Sequence, residues 1–151
     1  LKDQIPSGYK LENGIIYGKR VSHPGLFEIK IHKKGEMHLL RVVEEDYPAV
    51  KQAETDQEVK VILFHGGKYF SSGNDISAFL AYGDVDEAKA AAKRGMGVME
   101  KMLLTLSFCK KPIVAVVRGM ALGIAFTLLS HVTLLYVAPD AKMMTPFMAS
   151  G

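Results

Sequence analysis

A chain of 151 residues fits one domain, and 48% apolar against 23% charged composition belongs to a globular fold rather than a disordered or fibrous one. The 19 Lys and Arg outnumber the 16 Asp and Glu by three and are scattered, which leaves no electrostatic footprint for nucleic acid. Cys109 is the single cysteine, so no internal disulfide forms, and no apolar run approaches the roughly 18–20 residues that a membrane span requires.

The chain starts at Leu1 rather than Met and stops at Gly151 without a capping pattern, which leaves truncation open at both ends. Residues 1–20 are punctuated by Pro6, Gly8, Gly14 and Gly18 and read as an extension with one short strand at Ile15 to Tyr17. The remaining residues, 21–151, read as one domain. Phe27, Ile29 and Ile31 alternate with Glu28 and Lys30, as in a half-buried strand. Met37, Leu40, Val43, Tyr47, Val50 and Ala53 form a helical stripe that Pro48 kinks or restarts. Val61 to Phe64 is a continuous apolar run, which predicts a strand covered on both faces in a sheet that is at least partly parallel.

Asp84 and Glu87 resemble a capping box, and Val85, Ala88, Ala92, Met99, Met102 and Leu106 carry one face of a long helix ending near Lys110-Lys111-Pro112. Ile113 to Val117 reads as a buried strand, Arg118 to Gly123 as a turn, and Ile124 to Ser130 as a short helix. Val132 to Ala138 reads as a further strand ended by Pro139. Strands alternating with helices define an α/β domain.

Two segments carry chemistry. Phe70-Ser71-Ser72-Gly73-Asn74-Asp75-Ile76 follows a strand, and its small residues allow a sharp turn that presents free backbone N–H groups. Taken alone it is an ordinary serine–glycine turn. Lys111 to Ile124 is strand, glycine turn and helix start, so its first helical amides are free at the positive end of a dipole. Two such donors meeting over one carbonyl oxygen are what enolate stabilisation of a thioester requires.

In these two regions, Val59 to Ile76 and Lys111 to Gly151, the chain resembles the enoyl-CoA hydratase/isomerase (crotonase) family. The resemblance implies a spiral of strand-strand-helix units, incomplete at the C-terminus, and a usually trimeric assembly. It places the two oxyanion donors on the backbones of Asn74 and Ile124, with Ser72, Gly73, Leu122, Gly123 and Phe147 around the substrate. Tyr69 to Asp75 and Thr145-Pro146-Phe147 are most similar to the delta-3,delta-2-enoyl-CoA isomerase branch of mitochondria and peroxisomes, which moves a double bond by taking and returning a proton. A CoA thioester is then substrate or ligand, with no cofactor and no metal.

The hydratase glutamate position holds Thr127, so hydration is not expected, and the isomerase carboxylate falls four residues past Gly151. The family's Asn-Ala-Leu adenine loop has no counterpart in Ile31 to Met37. His23, His32, His38, His65 and His131 are dispersed, and His65 reads as a turn-capping residue. Three readings therefore stand: a part of an enzyme completed by further residues or another chain, a non-catalytic structural subunit of a larger assembly, and a module that binds acyl-CoA without turnover. All three leave Leu134, Leu135, Val137, Met143, Met144, Phe147 and Met148 to be covered by another chain or a continuation of this one.

Overall fold

The computed structural model describes residues 5–12, 15–31, 48–73 and 83–146. Strands β1 (Tyr9–Glu12), β2 (Ile15–Arg20), β3 (His23–Ile31), β4 (Val61–His65), β5 (Ile113–Val117) and β7 (Leu134–Val137) form one sheet in the order β1-β2-β3-β4-β5-β7. Between the last two in sequence lies β6 (Met120–Leu122), which pairs in parallel with β8 (Lys142–Met144) as a second, two-stranded sheet. Helices α1 (Pro48–Thr55), α2 (Val85–Ser107) and α3 (Ile124–Leu128) join them, giving a mixed α/β fold.

The stretch read from sequence as an extension carries two strands of the main sheet. β1 and β2 pair antiparallel with Tyr9 opposite Gly18. A Cβ on Gly18 would stand 3.0 Å from the Tyr9 ring and 2.8 Å from the Gly8 carbonyl. Glycine therefore lets the ring lie flat across β2, and its phenol donates to the Glu28 carboxylate on β3. This contact spans three strands.

From β3 onward every pairing in the main sheet is parallel: β3 with β4, β4 with β5, β5 with β7. The expectation of coverage on both faces does not hold for β4. Ile62 and Phe64 are buried, whereas Val61, Leu63 and His65 are only partly covered. Phe27, Ile29, Ile113, Ala115 and Val117 alternate in the same way, so one face of these strands packs a core and the other is only partly covered. β-branched and aliphatic residues on both faces made the run look doubly buried; the packing partners, not the strand, decide which face closes.

The core face is covered by Ala49, Val50 and Ala53 of α1, Met102 and Leu106 of α2, and Ala125 and Leu128 of α3. α1 is described from Pro48 onward; the upstream part of the expected helical stripe lies outside the described residues. At the other end of α1 the Lys111 ammonium donates to the carbonyls of Ala53, at 2.6 Å, and Asp56. A cation there satisfies open carbonyls and opposes the helix dipole. Lys111 thus closes α1, from a position that the sequence suggested only as the end of α2.

Asp84 precedes α2 with an extended backbone but forms no side-chain cap bond, so the capping box expected with Glu87 is absent. The apolar stripe deepens along α2: Val85 is exposed, Ala88, Ala92 and Met99 are partly buried, and Met102 and Leu106 are fully buried. The expected turn at Arg118 to Gly123 contains β6, because glycines at both its ends take φ near +60° and leave three extended residues between them. β7 is shorter than expected and forms one edge of the main sheet. Of the residues expected to need a cover, Leu134, Val137 and Met144 are exposed, Leu135 and Met143 pack partly on the core, and Phe147 and Met148 lie outside the described residues.

Two measurements check this packing. Phe64→Ala should lower stability by about 3–5 kcal/mol in urea unfolding, whereas Phe108→Ala, at a side chain 76% exposed, should stay within ~0.5 kcal/mol. His65 has its pKa lowered, first by burial, so the fold favours the neutral ring. Its contribution is complete above the ordinary value of 6.5 and declines as pH falls below it. Stability curves of His65→Gln should accordingly be flatter than wild type on the acid side.

Candidate functional site

Beyond β4 the chain folds back tightly. A Cβ on Gly66 would fall 2.1 Å from the Tyr69 carbonyl, so only glycine permits the return that seats Phe70 in the core. The Phe70 and Ser71 amides both donate to the Met120 carbonyl at 3.0 Å, and Leu122 donates back to the Ser71 carbonyl at 3.0 Å. Ser71 and Ala121 form a parallel bridge. The two segments singled out from sequence are therefore joined through their backbones.

Ser71 is fully buried, and its hydroxyl accepts the Gly73 amide at 3.1 Å. Gly73 has φ +90°, and a Cβ there would stand 2.5 Å from the Leu122 carbonyl oxygen and 3.5 Å from the Ile124 nitrogen. Ser72 is partly exposed beside it. The backbone of Gly73 thus lies directly against the start of α3. Gly73 cannot be replaced without moving Leu122.

On the second loop Gly123 adopts φ 56° and ψ −126°, a combination confined to glycine. Its amide donates to the Met144 carbonyl at 2.9 Å, tying the turn to β8. Its carbonyl accepts from the Phe126 and Thr127 amides at 3.0 and 3.1 Å. Those bonds leave the Ile124 amide with no acceptor among the described residues, its nitrogen close to the Gly73 backbone. Thr127 turns its hydroxyl back towards the Gly123 carbonyl at 3.4 Å.

Of the residues picked out from sequence, Ser72, Gly73, Leu122, Gly123 and Ile124 lie together at this junction. Asn74 and Phe147 lie outside the described residues. His65 is absent from the junction: it sits on the open face of the sheet with its Nδ1 3.3 Å from the Gly66 carbonyl. Asp140 occupies an exposed turn closed by the Ala141 amide donating to the Ala138 carbonyl at 3.0 Å. The Met144 carbonyl, which positions Gly123, was missed from sequence, since a backbone acceptor leaves no residue-type signal. No cluster of metal-ligating side chains occurs among the described residues.

Residues 23–151 match the family model described as enoyl-CoA hydratase/isomerase. Enoyl-CoA delta isomerase 2 of Rattus norvegicus is 39% identical over 104 residues, covering 68% of this chain and 26% of that protein. The enoyl-CoA hydratase ACTT3 of Alternaria alternata is 29% identical over 99 residues, covering 65% of this chain and 32% of its own. The crystal structure of an enoyl-CoA hydrotase/isomerase family protein from Silicibacter pomeroyi superposes with a TM-score of 0.76 at 25% identity, covering 89% of this chain and 57% of that one. The chain spans less than half the length of these curated relatives and somewhat over half of the solved structure.

The junction's geometry separates two glycines that sequence treats alike. Gly73→Ala meets both a positive φ and the Leu122 carbonyl, whereas Gly123→Ala meets open space and only the backbone strain. Strain of this kind costs on the order of 1–3 kcal/mol, so Gly123→Ala should remain folded with that loss, and Gly73→Ala should lose more. Urea unfolding of the two variants checks the order.

Proposed function

Because the chain belongs to the enoyl-CoA hydratase/isomerase family, we propose that it binds acyl-CoA with the thioester carbonyl held by the backbone amides of Asn74 and Ile124. Supporting this reading above all is the Ile124 amide, which has no acceptor among the described residues and whose nitrogen lies close to the Gly73 backbone, one residue before Asn74. An oxyanion that develops when a proton leaves the carbon beside the carbonyl gains most from donors fixed in advance. Gly73, packed against the Leu122 carbonyl, and Gly123, bonded to the Met144 carbonyl, are backbone positions held in advance and support this reading. Ser72, Leu122 and Phe147 complete the substrate's surroundings in this reading, and no metal or other cofactor takes part.

The chemistry proposed for the whole site is double-bond isomerisation rather than hydration. Hydration needs a positioned acid and base, and Thr127 offers a hydroxyl engaged with the Gly123 carbonyl. The carboxylate that isomerisation requires is assigned to residues beyond Gly151 or to another chain. A mitochondrial or peroxisomal setting accompanies that assignment, in line with a mouse relative named enoyl-CoA delta isomerase 3, peroxisomal.

A second reading, a structural subunit bound to a partner chain, draws on the exposed apolar side chains of Leu134, Tyr136, Val137 and Met144. Both readings expect a partner or continuation over that surface. They differ in whether the loop junction takes a ligand.

Calorimetry with hexanoyl-CoA separates them. The binding reading expects saturable uptake by the 151-residue chain, little change in Ile124→Ala, and about tenfold weaker binding in Ile124→Pro, the scale of one lost hydrogen bond to a charged or strongly polarised oxygen. No uptake by the wild-type chain would remove the ligand-binding reading. In the same samples a trans-2-enoyl-CoA should not be hydrated, as followed by loss of its enoyl thioester absorbance.

A further inference from the structure

The open face of the main sheet is not uniform. Strand pairing aligns Glu28 with Leu63 and Val114, and Lys30 with His65, Val116 and Tyr136, in two neighbouring rows. Between these rows and the end of β5 lies a cavity of about 260 Å³ lined by Glu28, Leu63, His65, Gly66, Val116 and Arg118. The core face, with Phe64 and Ala115, separates this cavity from the glycine junction. It is a second concavity, on the opposite side of the sheet.

Its charges are unbalanced. Glu28 is occupied: one carboxylate oxygen accepts from the Tyr9 phenol and the other pairs with Arg20 at 3.2 Å. Arg118 stands exposed at the rim, where water solvates its guanidinium; it has no ion-pair or hydrogen-bond partner among the described residues, and neither has Lys30. His65 favours its neutral form through burial and so presents one donor and one acceptor rather than a further charge. Leu63 and Val116 supply an apolar floor.

We propose that this cavity binds a small monocarboxylate with a short apolar chain, its carboxylate on the Arg118 guanidinium and its chain over Leu63 and Val116. The guanidinium fork matches a carboxylate with two parallel N–H donors, which a lysine cannot do. The apolar floor favours a ligand with a hydrocarbon body over a fully hydrated inorganic anion. At 260 Å³ the space lies below the ~300–1,000 Å³ of pockets that hold drug-sized molecules, which sets the ligand at fragment size. The site is independent of the acyl-CoA reading above, because it lies on the other face of the sheet.

NMR titration of the isotope-labelled 151-residue chain tests this, with hexanoate, 1-hexanol and inorganic phosphate as separate probes. Hexanoate should shift the Leu63, His65 and Val116 signals saturably, and hexanol and phosphate should each bind at least about tenfold more weakly, since each lacks one of the two contacts. Arg118→Gln should weaken hexanoate about tenfold and Arg118→Lys by less, because lysine keeps the charge and loses the fork. Arg118 is exposed and makes no hydrogen bond or ion pair among the described residues, so both variants should retain the wild-type spectrum elsewhere. Equal affinity for hexanol, equal affinity for phosphate, or an unchanged Arg118→Gln would overturn the proposal. So would hexanoate shifts confined to Gly73 and Ile124, or self-association that covers Tyr136 without any hexanoate effect.

Discussion

The close approach of Gly73 to the Leu122 carbonyl is the constraint on which the site depends. Two loops far apart in sequence each end in a glycine of positive φ, and the Ser71–Ala121 bridge holds them in register so that the glycines pass each other. A side chain at position 73 would fill the space through which Leu122 passes. Strand pairing therefore does more here than build a layer. It sets the beginning of α3 beside the residue before Asn74, and it does so with backbone groups whose positions do not depend on rotamers.

The rest of the fold supports that junction from one side. Phe70, Ala121 and Ala125 belong to the same core as Phe27, Ile29 and Phe64, so the loops rest on the buried face of the main sheet. The Gly123 amide is anchored to β8 through Met144, which makes the short second sheet the outer wall of the turn. Lys111 fastens the start of β5 to the end of α1, and β5 leads directly into Gly119 and β6.

Much of this arrangement was legible in the residues. Alternation in Phe27 to Ile31 marked a strand, the apolar run at Val61 to Phe64 marked a parallel one, and the glycine loops after β4 and β5 are the two segments that the backbone brings together. What stayed hidden depends on non-local partners. Whether Leu63 and Val116 are covered is decided by what packs on them, so their hydrophobicity suggested two closed faces where one is only partly covered. The Asp84–Glu87 spacing suggested a capping box, yet cap bonds depend on side-chain rotamers that spacing does not fix. β6 and β8 are three residues each, too short for a periodic signal, and exist because each completes the other.

The central claim, that the junction polarises a thioester carbonyl, is tested most directly by the infrared carbonyl stretch of isotope-labelled hexanoyl-CoA bound to the chain. A donor aimed at the oxygen weakens the C=O bond. The account predicts a stretch at lower frequency than in water, kept in Ile124→Ala and moved back towards the free value in Ile124→Pro. A bound thioester with the frequency of the free molecule, or a shift indifferent to proline at position 124, would contradict it.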